Sequence, residues 1–356
     1  MVAGRRIPRS LADFSQAPPP DGVPVEIRPG ILWIRLTLPY RLNHVNVYLI
    51  DDEDGWALLD TGLGNAQTQE TWEKLFATGL DRPPTRIIVT HFHPDHAGMA
   101  GWIAERFNVP VYMSETEYLV SRNIHLDPGA LQAQHYRKFY TDHGLNAEQT
   151  QRVVTQGHSY LKNVWGLPPT FRRLNAGDEL GIGRRKFQIL TGGGHSPEQV
   201  FLYCDDEKLF FPADQVLNRI SPNVSVAAID PDGDPLGLYL RSLSAIAAAI
   251  PDDVLVLPGH DLPFATLHAR VEELKAHHKL RCDQIIAACR DSPKSAAELV
   301  PYVFHRAFDP HEMGFAFSEI LAHINYLLRN NALEAIAESI DLIRVSSARA
   351  GHDLKG

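Results

Sequence analysis

Thr90-His91-Phe92-His93-Pro94-Asp95-His96-Ala97-Gly98 follows directly on Arg86-Ile87-Ile88-Val89. The preceding run is apolar and rich in β-branched residues, which predicts a buried strand. Three histidines and an aspartate thus leave the end of a strand within six residues. Pro94 stiffens that turn, and Ala97 and Gly98 open a predicted helix over residues 99–107. A rigid turn holds imidazoles at fixed angles, as a metal site requires. A single histidine in such a loop is ordinarily solvated; a cluster of this density points to metal ligation instead.

The same pattern recurs downstream. Gly192-Gly193-Gly194-His195-Ser196-Pro197 follows the strand-like Lys186-Phe187-Gln188-Ile189-Leu190. Leu209-Phe210-Phe211-Pro212-Ala213-Asp214 ends another apolar run in an aspartate, and Val254-Leu255-Val256-Leu257-Pro258-Gly259-His260 ends a fourth in a histidine. One edge of a core would gather five histidines and two aspartates.

Taken in this order, the motifs resemble the metallo-β-lactamase superfamily of binuclear metallohydrolases, over roughly residues 26–268. The resemblance implies an α/β fold, the αββα sandwich, with two divalent cations, zinc first and iron or manganese as alternatives. It assigns His91, His93 and His195 to one cation and Asp95, His96 and His260 to the other, with Asp214 bridging and Asp95 also orienting the attacking solvent. Leu58-Leu59-Asp60-Thr61-Gly62 is similar to a family strand end whose aspartate supports a metal-bound histidine from behind; the bland role for Asp60 is a cap or turn former. An Asp214-type bridge argues against antibiotic hydrolysis. A histidine at His93 argues against the oxygen- and nitric-oxide-reducing relatives.

Composition is ordinary for a soluble globular protein: 356 residues, 44% hydrophobic and 22% charged, with a net charge of −9 that disfavours a general nucleic-acid binder. No apolar run approaches the roughly 20 residues needed to span a bilayer. Arg5 and Arg6 are followed by no apolar h-region, so no secretory signal is expected. Cys204, Cys282 and Cys289 are few, odd in number and remote from the ligand motifs, which fits small buried residues in a reducing compartment, the cytoplasm by default.

Three segments are expected: a proline-rich lead over residues 1–24, a catalytic domain over 25–268 and a tail over 269–356. Within the second, residues 115–170 break the strand–helix rhythm as a helix-prone, aromatic insertion with Tyr118, Tyr136, Phe139, Tyr140, Tyr160 and Trp165. It either caps the metals and shapes the substrate pocket, through Tyr136, Tyr140 and Trp165, or completes the core or a homodimer contact. The tail is predicted helical over residues 271–289, 295–306 and 312–331, with 332–345 either a short wing or a final helix, an order similar to a winged-helix-like domain. It carries 11 basic and 12 acidic residues from position 270 on, and its third helix only Glu312, Glu319 and Arg329. DNA affinity rests on phosphate neutralisation by basic residues, so packing or dimerisation is preferred to a nucleic-acid partner. His277 and His278, adjacent on the long helix, are expected to form a surface or interface pair.

Two cations sharing Asp214 can share a solvent molecule, whose pKa falls from ~15.7 towards ~7. The expected function is hydrolysis of a small ester, thioester or lactone. A metal-dependent phosphodiesterase or endoribonuclease, and a non-catalytic binding or regulatory module, are the alternatives.

Overall fold

The computed structural model describes residues 18–128, 134–305, 308, 310–339 and 342–348. Most of the proline-rich lead lies outside the described residues. The first sheet forms from β1 (Val25–Arg28), β2 (Ile31–Thr37), β3 (His44–Asp51), β4 (Trp56–Leu59), β5 (Pro84–Ile88), β6 (Val111–Met113) and β7 (Arg172–Arg173), in that spatial order. Hairpins join β1 to β4. From β4 onward the strands are parallel, and parallel neighbours need crossover connections. These are α1 (Ala66–Lys74), the pair α2 (Pro94–Ala97) and α3 (Ala100–Phe107), and the insertion α4 (Glu115–Leu126), α5 (Gln134–Asp142) and α6 (Ala147–Asn163). The second sheet is the meander β8 (Glu179–Ile182), β9 (Arg185–Gly192), β10 (Gln199–Cys204) and β11 (Leu209–Ala213). It is completed by β12 (Leu255–Pro258), parallel to β11 after the crossover helix α7 (Pro235–Ala249).

The strands read as continuous apolar runs because both faces are covered. In β3, Tyr48 and Ile50 join the core between the sheets, with Phe187, Ile189, Leu202 and Phe211 from the other side. The alternate residues Val45, Val47 and Leu49 pack outward with Trp72 of α1 and Ile103 of α3. The second sheet repeats the device: Phe201, Phe210 and Val256 face Leu236, Tyr239 and Leu243 of α7. The result is the four-layer αββα order expected.

Beyond β12 the chain forms α8 (Leu267–Ala288), α9 (Ala296–Val303), α10 (Pro310–Arg329) and the hairpin β13 (Leu333–Ser339) and β14 (Leu342–Ser347). The described residues between 332 and 345 therefore form paired strands and not a helix. α9 starts at a capping box, Ser295 with Glu298. Phe317, Ile320 and Leu321 of α10 share one core with Tyr239 and Leu243, so the tail packs directly on α7. The expectation for His277 and His278 needs correction. His278 is fully buried and faces His323, 3.2 Å away. Adjacent helical positions point about 100° apart, so one of the pair turns into the helix–helix contact. Among the described residues no helix is long and apolar enough to cross a membrane.

Candidate metal centre

Five strand ends meet at one end of the sandwich. β5 delivers His91 and His93. Pro94 then starts the helical turn α2, which contains Asp95 and His96; proline suits a first helical position because its missing N–H would be unpaired there. The β9–β10 loop delivers His195, β11 delivers Asp214 and β12 delivers His260. All seven residues come together. His93 Nδ1 lies 3.0 Å from both His91 Nε2 and His195 Nε2. His260 Nε2 lies 3.1 Å from Asp214 Oδ2 and 3.3 Å from Asp95 Oδ2. His96 Nε2 lies 3.4 Å from Asp214 Oδ1, and His195 Nε2 lies 3.5 Å from Asp214 Oδ2. The donor atoms of His91, His93 and His195 fall within 4.8 Å of one another, as do those of Asp95, His96 and His260 and those of His91, His96 and Asp214.

The hydrogen-bond partners fix which nitrogen faces inward. His195 Nδ1 donates to the Asn223 carbonyl at 2.8 Å, and His260 Nδ1 to the His44 carbonyl at 2.7 Å. His96 Nδ1 donates to Asp60 Oδ2 at 2.8 Å. Thr90 Oγ1 also donates to Asp60 Oδ2 at 2.8 Å, so its oxygen accepts from His91 Nδ1 at 2.9 Å. In its neutral form each of these four imidazoles thus turns an Nε2 lone pair into the cluster. Asp60 is 3% exposed, and its other oxygen accepts from the Thr90 amide at 2.8 Å. It supports His96 directly and His91 through Thr90.

The electrostatics suit a cation. Burial, with the neighbouring imidazoles, pushes His91 well below the ordinary histidine range and His93 to about 3. Burial also lowers His195. Burial alone would lower His96 and His260 too. The charges of Asp214, Asp60 and Asp95 outweigh it at His96, and those of Asp214 and Asp95 raise His260 to about 10. Burial would raise Asp95 and Asp214, yet the facing histidines hold both below the usual carboxylate range. His96 Nε2 and Asp214 Oδ1 are buried and lack a hydrogen-bond partner. Three neutral imidazoles beside two ionised carboxylates, with a buried imidazole nitrogen and a carboxylate oxygen lacking hydrogen-bond partners, fit divalent cations of the zinc, iron or manganese type.

Several residues that hold this geometry carried no signal in the sequence. Glu117 of α4 is fully buried. It accepts from the Phe92 amide at 2.9 Å, the Ser196 hydroxyl at 2.7 Å and the Glu198 amide at 2.6 Å, tying the His91–His93 turn to the His195 loop. Burial raises its carboxyl to about 7. Gln199 accepts from the Asp214 amide at 2.8 Å and donates to Gln215 Oε1 at 3.2 Å. Asn46 and Tyr48 of β3 both donate to the Pro258 carbonyl at 2.9 Å, pinning the end of β12. A polar Asn46 inside an apolar strand was the one visible hint. Gly259 has a packing reason to be glycine: a Cβ there would lie 2.3 Å from Asp214 Oδ1.

The insertion spans three neighbourhoods. Tyr160 of α6 donates to the Phe92 carbonyl at 2.9 Å, directly on the metal turn. Tyr136 is buried on α5, and Tyr140 packs near Phe317 of α10 with ring centroids 6.1 Å apart. Trp165 is 53% exposed and lines a groove of about 890 Å³ with Val109, Pro168 and Phe171. None of the seven clustered residues lines that groove.

Residues 40–260 match the metallo-beta-lactamase superfamily, and residues 282–348 match the metallo-beta-lactamase-like C-terminal domain. A beta-lactamase domain protein from Burkholderia ambifaria is 36% identical, with a TM-score of 0.85 over 94% of this chain and 96% of that one. The probable metallo-hydrolase YqjP of Bacillus subtilis is 21% identical, across 86% of this chain and 95% of its own length. The human acyl-coenzyme A thioesterase MBLAC2 is 26% identical, across 65% of this chain and 78% of its own. Motif order, layer order and the match over both segments agree: the chain belongs to the metallo-beta-lactamase superfamily, as one of its metal-dependent hydrolases.

Proposed function

We propose that this chain is a di-metal hydrolase of small esters, thioesters or lactones, with thioesters first. The observation that carries the proposal is the convergence of seven donor groups, four of whose imidazoles have their tautomer fixed from outside. The similarity to an acyl-coenzyme A thioesterase supports the thioester class. His91, His93 and His195 would hold one cation, Asp95, His96 and His260 the other, and Asp214 both. Bound there, the cations supply Lewis acidity, lowering the pKa of water towards ~7 and polarising the substrate carbonyl. Asp95 orients the attacking water by accepting its hydrogen at a carboxylate oxygen. Asp60 keeps His96 and His91 in the metal-binding tautomer. The three unpaired, buried cysteines fit a reducing compartment such as the cytoplasm.

The test is turnover by metal-loaded protein of an acyl-coenzyme A thioester, a lactone and bis-p-nitrophenyl phosphate. The expected result is kcat/KM at least tenfold higher on the thioester or lactone. Preference for the phosphodiester would replace this proposal with the nuclease alternative.

A further inference from the structure

Away from the centre, α8 and α10 bring a second set of donor groups together. Glu319 and His323 stand one turn apart on α10 and so share a face. His278 meets them from α8. The three are 8%, 1% and 0% exposed. His323 Nδ1 donates to the Glu319 carbonyl at 2.8 Å, so its Nε2 carries a lone pair. That lone pair points at His278 Nδ1, 3.2 Å away. One ligand atom from each of the three lies within 4.8 Å of the others. His278 Nε2 is buried without a hydrogen-bond partner, and the buried Glu319 Oε1 meets the guanidinium of Arg281. Two nitrogens sharing a tetrahedral zinc ion at ~2.0–2.1 Å stand about 3.3 Å apart, close to the gap seen here.

Other groups face the same spot. Arg281, also on α8, forms an ion pair with Glu319 and lies over the Phe304 ring, 4.8 Å from its centroid. His277 Nε2 is buried and unpartnered. The Tyr239 ring stands 5.2 Å from that of His278, and the Tyr239 hydroxyl donates to the Gln215 carbonyl at 3.0 Å, next to Asp214. Arg281 is the competing cation. It neutralises Glu319 when no metal is bound, and its charge opposes a second positive ion.

We propose that His278, Glu319 and His323 form a structural site for one zinc-type divalent cation, separate from the di-metal centre. The cation displaces Arg281 from Glu319 and staples α8 to α10 behind Tyr239. Three ligands of the imidazole and carboxylate type suit zinc or cobalt. A structural site adds its binding free energy to folding.

Two variants and one diffraction experiment test this on the full chain. After zinc loading and dialysis, wild-type protein should hold one ion per chain more than His323→Asn. Arg281→Gln removes the competitor and should hold that ion at least tenfold more tightly, with its melting temperature rising on zinc addition. Both variants should hydrolyse substrate within twofold of wild type. Equal metal counts in wild type and folded His323→Asn would overturn the proposal. So would an Arg281→Gln protein that is destabilised and indifferent to zinc, the behaviour of a buried ion pair that has lost a partner. Should His323→Asn not fold, zinc-edge anomalous diffraction from wild-type crystals decides. A peak ~2.0–2.1 Å from both His278 Nδ1 and His323 Nε2 is expected. Strong peaks at the di-metal centre with none here would overturn the site.

Discussion

Replacing Asp60 with asparagine should damage both halves of the metal centre through proton positions alone. Asp60 adopts φ 63°, in the left-handed region that asparagine tolerates as well as aspartate. The backbone therefore stays in place, and the volume hardly changes. Asp60 uses one oxygen on the Thr90 amide and the other on both the Thr90 hydroxyl and His96 Nδ1. In asparagine the carbonyl keeps the Thr90 amide and the NH₂ group takes the second position. His96 Nδ1 must then accept, which moves the ring hydrogen to Nε2, the nitrogen that faces Asp214. Thr90 Oγ1 accepts from the same NH₂ and donates to His91 Nδ1, so the His91 hydrogen also moves inward. Restoring each tautomer means giving up a hydrogen bond to a buried group, about 1–3 kcal/mol. That is close to the 10–100-fold loss of metal affinity typical when a supporting partner is removed. Competition against a chromophoric chelator measures the affinity, and thermal unfolding of the metal-free protein checks that the fold is unchanged. Metal affinity within twofold of wild type would refute the tautomer relay.

Asp214→Ala should remove nearly all activity, since its carboxylate faces His96, His195 and His260; steady-state rates within a few-fold of wild type would show that it is not shared between the cations. Gly259→Ala should lower metal affinity ~10–100-fold, because the new Cβ falls 2.3 Å from Asp214 Oδ1 and 2.9 Å from His96 Cε1; chelator competition checks it. Tyr160→Phe removes the 2.9 Å bonds to the Phe92 carbonyl and Ser121 Oγ, and should cost about 1 kcal/mol, read as a drop in the thermal midpoint. If the insertion selects substrate, alanine at Tyr136, Tyr140 or Trp165 should change relative kcat/KM across the substrate panel more than metal content. In contrast, Lys279→Glu, exposed on α8, should leave small-substrate turnover within twofold.

The ligand cluster was legible because each member follows an apolar run, and a strand end is where a buried element hands its next side chain to a shared edge. The four-layer order was legible for the same reason: strands apolar on both faces, such as β3, need cover on both sides. The brace around the site was not. Glu117 is an ordinary helix residue by local pattern, and its partners Phe92, Ser196 and Glu198 are 25 to 81 positions away. Gln199 is equally silent until β10 and β11 pair. His278 was misjudged because adjacency to His277 says nothing about which of the two faces α10. Residues 332–345 stayed ambiguous because Leu333-Glu334-Ala335-Ile336-Ala337-Glu338 is rich in helix-forming residues and lacks a clear period-two alternation. Pairing with β14 decides the contest. The insertion's aromatic residues gave no clue to their separate surroundings, with Tyr160 on the metal turn, Tyr140 near α10 and Trp165 in an outer groove.

The central claim is that the seven converging residues hold two cations per chain. Elemental analysis of dialysed, metal-supplemented wild-type protein beside a His91→Ala/His260→Ala double variant tests it most directly, because each substitution strips a donor from a different half of the centre. The expected result is a difference of two ions per chain, with hydrolysis lost in the variant. Equal metal content in the two folded proteins would contradict the account.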